Sequence, residues 1–334
     1  MNAQTDPAFI DAPSNPAKMF FLSVLRAGVF VGILAAIFAF LGETHWVADL
    51  VCQLRIQIAI GLFVLMLLLA LARSWWWMLI CLIGFSVNAI PIWPYAAAYV
   101  EGPAPRETAA LESDQLKLMS LNLLTRNRKW DEVIESVRDA SPDFLVLMEI
   151  DSVWQQECER ELAADYPYVA FESREDNFGI ALLSKFPWSQ IEVFNSQTLE
   201  LPSIDVTIPG LGSKPLRIIA THPIPPMNQK HWSARNEQLL NVAARFDDST
   251  SNLMVGDFNI SPWSPNFNRV VAAGNLVDAA EPFGPVPTWY VFPTWIGGLK
   301  IDHVLTSDDV SIQELKIGHD VGSDHRAVIV DFDF

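Results

Sequence analysis

Six short stretches of the chain close an apolar run with groups able to bind a metal or a phosphate. They are Ser120-Leu121-Asn122, Met148-Glu149-Ile150-Asp151, Thr221-His222-Pro223, Gly256-Asp257-Phe258-Asn259, Asp302-His303 and Ser323-Asp324-His325. In an extended strand residues i and i+2 point to the same side, so Asp257 and Asn259 would project together where a strand leaves the core. A carboxylate beside a carboxamide there could hold a metal, a water or a phosphate oxygen. It could equally cap the following turn. Each stretch alone has such a plain reading. Together they are what one shared site would need, because ligands of open α/β sheets bind outside the carboxyl ends of the strands.

The elements that would position these groups lie in residues 115–334. "LKLMSLNLL" alternates as a strand does, and "KWDEVIESVRDA" carries Trp130, Val133, Ile134 and Val137 at helical spacing. "DFLVLMEI", "FGIALLS", "LRIIATH", "NLMVGDF" and "RAVIVDFDF" read as strands, "VWQQECERELAA" and "SARNEQLLNVAARF" as helices. Strands outnumber helices. The pattern predicts two packed β-sheets flanked by helices, a four-layer α/β sandwich.

The first hundred residues are of another kind. Hydrophobic residues make up 51% of the 334, and the excess is concentrated here. Three runs, about 20–41, 56–72 and 75–93, are each near the roughly 20 residues that cross a hydrocarbon core. Trp75, Trp76, Trp77, Trp93 and Tyr95 stand at their edges, as interfacial aromatics do. The expected organisation is a tail at 1–18, three transmembrane helices within 19–93, a proline-broken linker at 94–114 and a catalytic domain at 115–334. Lys18, Arg26 and Arg73 against Glu43 and Asp49 place the N-terminus in the cytoplasm by the positive-inside rule. An odd number of spans then puts the domain on the far side of a bacterial-type inner membrane. Cys52, Cys81 and Cys158 imply no disulfide framework.

The stretches "SLNLL", "LVLMEID", "NFGIALLSKFP", "IIATHP", "MVGDFNISP", "PTW", "KIDHVLTS" and "GSDHRAVIVDF" resemble, in this order, the endonuclease/exonuclease/phosphatase superfamily. They cover nearly all of residues 115–334. The resemblance implies the two-sheet sandwich and Mg²⁺- or Mn²⁺-assisted hydrolysis of a phosphoester or pyrophosphate. On this likeness Glu149 is the metal carboxylate, with Asn122 beside it and Asp324 near the ion. Asn122 could instead serve only backbone bonding at its strand end. Asp257 would orient or deprotonate the attacking water, and Asn259 would donate to the phosphate. His325 would bind the phosphoryl oxygens, Asp302 would hold its ring, and His222 would make a second phosphate contact. Asn177 and Arg235 match positions that could touch substrate, though Arg235 reads more simply as an ordinary salt bridge. His303 stands where an aromatic is often found, and Gly179 could serve packing. Hard oxygen donors suit Mg²⁺ or Mn²⁺. There is no cysteine cluster or closely spaced histidine pair for zinc.

Three spans followed by this domain also resemble bacterial membrane proteins of the glycopeptide-resistance type. That likeness implies a lipid-linked phosphorylated substrate. Only four of the 22 basic and five of the 39 acidic residues precede residue 105, so the remainder has a net charge of −16. Long polyanions are bound by Lys and Arg neutralising phosphates, which disfavours the competing expectation of a membrane-tethered endonuclease or exonuclease. The complete set of acids, amides and imidazoles argues against a non-catalytic binding domain. Trp289, Tyr290, Phe292 and Trp295 in "PTWYVFPTWIGG" could meet lipid or an apolar substrate tail, or pack the sandwich edge.

Overall fold

The computed structural model describes residues 16–102, 115–290 and 297–334. Its first part holds five helices: α1 (Pro16–Phe38), α2 (Trp46–Gln53), α3 (Arg55–Leu71), α4 (Trp75–Ala89) and α5 (Trp93–Glu101). Helices α1, α3 and α4 pack around Leu25, Val29, Leu62, Leu69 and Cys81. Their outer faces stay apolar, with Phe20, Phe30, Leu34, Leu67, Leu71, Trp76 and Ile83 exposed. So much uncovered apolar surface in one place marks an interaction face.

Two helical stretches, Pro16–Leu41 and Trp75–Glu101, are long and apolar enough to cross a membrane. The run expected at 56–72 coincides with α3. Helix α3 has 17 residues and passes the same test only together with α2, from which it is bent by 62°. The expected linker differs. Residues 94–101 continue as α5, because Pro94 falls in the first helical turn, where its missing N–H costs no bond. Residues 103–114 of that linker lie outside the described residues.

The second part begins with β1 (Leu116–Asn122), α6 (Trp130–Ala140), β2 (Phe144–Met148), α7 (Ser152–Leu162), β3 (Tyr168–Glu172) and β4 (Ile180–Ser184). It continues with β5 (Gln190–Asn195), β6 (Pro202–Ile208), β7 (Leu216–Thr221), α8 (Gln229–Ala243), β8 (Ser251–Asp257), α9 (Pro265–Gly274) and β9 (Val277–Asp278). The last elements are β10 (Trp289–Tyr290), β11 (Gly298–Leu299), β12 (Asp302–Thr306), β13 (Ser311–Ile317) and β14 (Val328–Asp333). One sheet has the order β13-β14-β1-β2-β4-β3, the other β5-β6-β7-β8-β12-β9. The pairs β1–β2 and β7–β8 are parallel.

The central strands are buried on both faces, which is why "FLVLM", "IALLS" and "NLMVG" read as unbroken apolar runs. Leu118, Val146, Ile218 and Val255 meet between the sheets. Met119 and Leu145 face α6 and α7, and Ile219 and Met254 face α8 and α9. This is the expected two-sheet α/β sandwich with helices outside. Helix α9 was not foreseen, although Ser264 at its N-cap and Pro265 in its first turn are ordinary start signals.

Candidate active site

Strand pairing brings the polar ends together. Antiparallel register sets Asp302 directly opposite Asp257, so β12 begins where β8 ends. Strand β14 pairs with β1 up to Val328 opposite Ser120, and the loop before it turns back over the end of β1. There the Ser323 hydroxyl donates to the Asn122 carbonyl at 2.7 Å. At Gly256, with φ +146, an added Cβ would lie 2.0 Å from the Thr221 carbonyl oxygen. Any side chain there would push β7 from β8 and separate His222 from Asp257. Gly179 is likewise compulsory, since a Cβ would lie 1.9 Å from the Ile150 oxygen.

The Asp257 carboxylate is the hub. Its Oδ1 accepts from the Asn259 backbone N–H at 2.9 Å. Its Oδ2 accepts from Asn122 Nδ2 at 3.2 Å and lies 3.6 Å from Nε2 of both His222 and His325. On the far side of the ring, His325 Nδ1 is 2.9 Å from Asp302 Oδ2. All four ionisable groups are buried. Burial disfavours a charged imidazole, but the Asp302 and Asp257 carboxylates outweigh it and push His325 up to about 10. Burial likewise opposes ionisation of Asp257, and the two imidazoles overcome it and hold the carboxyl down at about 2. The trio Asp257, Asp302 and His325 is tight enough to suggest a metal cage. Yet Nδ1 of His325 is committed to Asp302 and the ring is already cationic, so the trio is better described as an ion-paired relay.

A metal fits better beside it. Glu149 accepts only from neutral donors: Asn122 Nδ2 at 3.1 Å, the Thr125 N–H at 3.0 Å and the Thr125 hydroxyl at 3.2 Å. Asp324 Oδ2 accepts from Trp289 Nε1 at 3.0 Å. Among the described residues neither carboxylate has an ion-pair partner, and both line the same cleft of about 380 Å³. Two uncompensated hard-oxygen acids in one cleft suit a divalent cation of the Mg²⁺ type. Glu149 is also held at φ +61, an uncommon backbone state for a non-glycine residue that clusters at functional sites.

The cleft therefore gathers Glu149, Asn177, His222, Asp257, Asn259, Asp324 and His325, with Asn122 and Asp302 behind them. Asn259 Nδ2 donates to the Pro223 carbonyl at 3.0 Å. Arg235 is elsewhere. Its guanidinium is fully buried and donates to Asp49 Oδ2 at 2.6 Å and to the Asn259 carbonyl at 2.9 Å, so it lies behind the cleft and does not face it. Burial draws this guanidinium below its ordinary value, and Asp49 opposes the shift. Trp295 and Phe292 lie outside the described residues. His303 stacks on Phe258, lies tilted against Phe267 and belongs to a separate buried network with Lys300 and Asp278.

Thr125, Phe178 and Met227 are part of the site without having been foreseen. Thr125 stands three residues after Asn122, and Phe178 follows Asn177 within "NFGIALLSKFP". Leu50 and Gln53 also line the cleft, although they belong to α2. That helix lies against the sandwich. The Ser264 hydroxyl and Asn266 Nδ2 both donate to Asp49 Oδ1. Further along the same border Gln57 Nε2 donates to the Gly298 carbonyl at 2.8 Å and the Tyr95 hydroxyl to Asp278 at 2.7 Å.

The profile of the endonuclease/exonuclease/phosphatase family matches residues 119–325. A search of curated proteins finds no match. Among solved structures, an endonuclease/exonuclease/phosphatase from Beutenbergia cavernae is similar with a TM-score of 0.55 at 22% identity, covering 65% of this chain and 71% of that one. The 3' phosphatase NExo from Neisseria, bound to a product DNA hairpin, gives 0.54 at 19%, covering 66% and 100%. The human Nocturnin catalytic domain with a bound sulfate anion gives 0.54 at 18%, covering 66% and 93%. At these identities the likeness is one of fold.

Proposed function

The chain belongs to the endonuclease/exonuclease/phosphatase family, and from that premise we propose a membrane-anchored, divalent-metal-dependent phosphoesterase acting on a phosphorylated amphiphile. The observation that carries the reading is the single cleft in which Glu149, Asp257 and His325 face Leu50 and Gln53 of the apolar N-terminal part. Catalytic residues and helix α2 of the apolar N-terminal part share one wall.

Glu149 and Asp324, with Asn122 in support, would hold Mg²⁺ or Mn²⁺. Such an ion, when bound, polarises the phosphoryl oxygen and steadies the leaving oxygen. The rest falls to side chains. Asp257 stays ionised at neutral pH and accepts a hydrogen bond from the attacking water. A carboxylate held near 2 is a weak base, so orienting the water is its main task. His325 is already an imidazolium and can donate to phosphoryl oxygens as their charge grows. Asp302 keeps that ring oriented and charged. His222 and Asn259 complete the set of donors around the phosphate. The acidic domain, net −16, and the apolar cleft residues Phe178, Met227 and Leu299 favour an amphiphile over a long nucleic acid.

The test uses the full chain in nanodiscs with Mg²⁺, offered polyprenyl pyrophosphate, phospholipids and DNA oligonucleotides. Hydrolysis of a lipid phosphoester or pyrophosphate, abolished by EDTA and restored by Mg²⁺ or Mn²⁺, is expected. DNA cleaved faster than every lipid would replace this reading with the tethered nuclease. Full turnover in EDTA would end the metal assignment.

A further inference from the structure

Helix α2 leaves the direction of α3 at a 62° bend and turns one face, Ala48, Asp49, Cys52 and Gln53, into the protein. Asp49 and Gln53 are four residues apart and so share that face, one turn from each other. Asp49 is fully occupied. Arg235 takes one of its oxygens, Ser264 and Asn266 the other. This tie fixes α2 in rotation and position against the sandwich.

Gln53 has a different situation. It is only 5% exposed and lines the catalytic cleft, yet its Nε2 has no hydrogen-bond partner among the described residues. A buried amide donor left unpaired costs about 1–3 kcal/mol. Native proteins rarely keep such a group without a use for it. Four residues on, across the bend into α3, Gln57 Nε2 donates to the Gly298 carbonyl, so the region offers acceptors where they are wanted. Gln53 shares this cleft with Asp257 and His325, which are engaged with each other, and with Glu149 and Asp324.

We propose that α2 completes the active site and that Gln53 Nε2 donates to an oxygen of the substrate's phosphate-bearing headgroup, making Gln53 a substrate-binding residue supplied by the membrane region. This rests on the phosphoesterase reading above. Leu50, on the same cleft wall, lies beside that headgroup on the side from which an apolar tail would leave. The sandwich domain alone therefore has an incomplete cleft.

The test is Gln53→Met, which keeps size and removes the donor, with Gln53→Glu, which adds a charge that repels phosphate. Both are made in the full chain in nanodiscs with Mg²⁺. The probes are para-nitrophenyl phosphate and dodecyl para-nitrophenyl phosphate, a soluble monoester and a tailed diester. Gln53→Met is expected to raise KM roughly ten- to a hundredfold, the worth of a hydrogen bond to a charged group, with kcat falling no more than about twofold. Gln53→Glu should raise KM further. The thermal midpoint of Gln53→Met should be unchanged or higher, because an unpaired donor has been removed. A lower midpoint, or an unchanged KM in an active protein, overturns the proposal and leaves the phosphoesterase reading intact. Wild-type protein that cleaves neither probe takes both down together.

Discussion

His325 is a cation because two carboxylates on different elements face its two nitrogens. Asp302 lies 2.9 Å from Nδ1 and Asp257 3.6 Å from Nε2. The folded value near 10 exceeds the ordinary 6.5. Its contribution to stability is therefore fully present below pH 6.5 and is lost as the pH rises toward 10. Asp257 runs the other way. Its folded value near 2 lies below the ordinary 3.8, so its contribution is present above pH 3.8 and is lost as the pH falls toward 2. Nitrogen-detected NMR at pH 8 should find the His325 ring doubly protonated, and a neutral ring at that pH would contradict the relay. Asp302→Asn should cut kcat by roughly 10²–10⁴-fold while the fold persists. His325→Ala should cost at least as much, and the double variant little more, because groups acting as one unit are not additive. Cleanly multiplicative losses would separate the two residues.

The site's accuracy belongs to pairs of strands. Asp257 and Asp302 meet because β8 and β12 are in register, and His222 meets Asp257 because β7 runs parallel to β8. Gly256 is where these pairings are most exposed to a single change. At φ +146, with the Thr221 oxygen 2.0 Å from the position of a Cβ, alanine must either shift β7 or open the sheet. Gly256→Ala is expected to cost roughly 2–4 kcal/mol and to reduce activity more than stability, since His222 would move from Asp257. Chemical denaturation alongside kcat tests this. A variant with wild-type stability would show that the two strands have slack.

At the level of the whole molecule, two regions of opposite composition are tied by buried polar groups. Asp49 and Arg235 are both wholly buried, 186 residues apart. Removing one partner strands a charge, so Asp49→Ala should destabilise the protein by roughly 3–5 kcal/mol, whereas an apolar replacement of both should cost much less. Thermal melts in detergent would read this, and a double variant whose loss equals the sum of the two single losses would show that no pairing is at stake. The same border bears on orientation. Helix α2 through Asp49 and α5 through Tyr95 abut the sandwich, while Arg73 lies in the turn between α3 and α4. We propose that Arg73 and the N-terminus face the cytoplasm and the sandwich the opposite side. A C-terminal alkaline phosphatase fusion should then be active, and a green fluorescent fusion exported by the general secretory route should be dark. The reverse pair would bring the cleft to the cytoplasmic leaflet.

The sandwich and its strand-end acids were legible in the sequence because both are local properties. Buried strands write themselves as short apolar runs, and "GDFN" or "SDH" carries its chemistry within four residues. The start of α9 at Ser264-Pro265 was missed, because its short apolar face is stabilised only by packing on the sandwich. The docking of α2 was not. Asp49 read as one more loop charge and Arg235 as an ordinary salt bridge or a phosphate contact, and nothing near either names a partner so distant in the chain. Their pairing exists only once the sandwich and the apolar helices have been brought together. That same packing decided that Arg235 supports Asn259 from behind, that residues 94–101 are helix rather than linker, and that Gln53, on the cleft wall, keeps a buried donor unpaired.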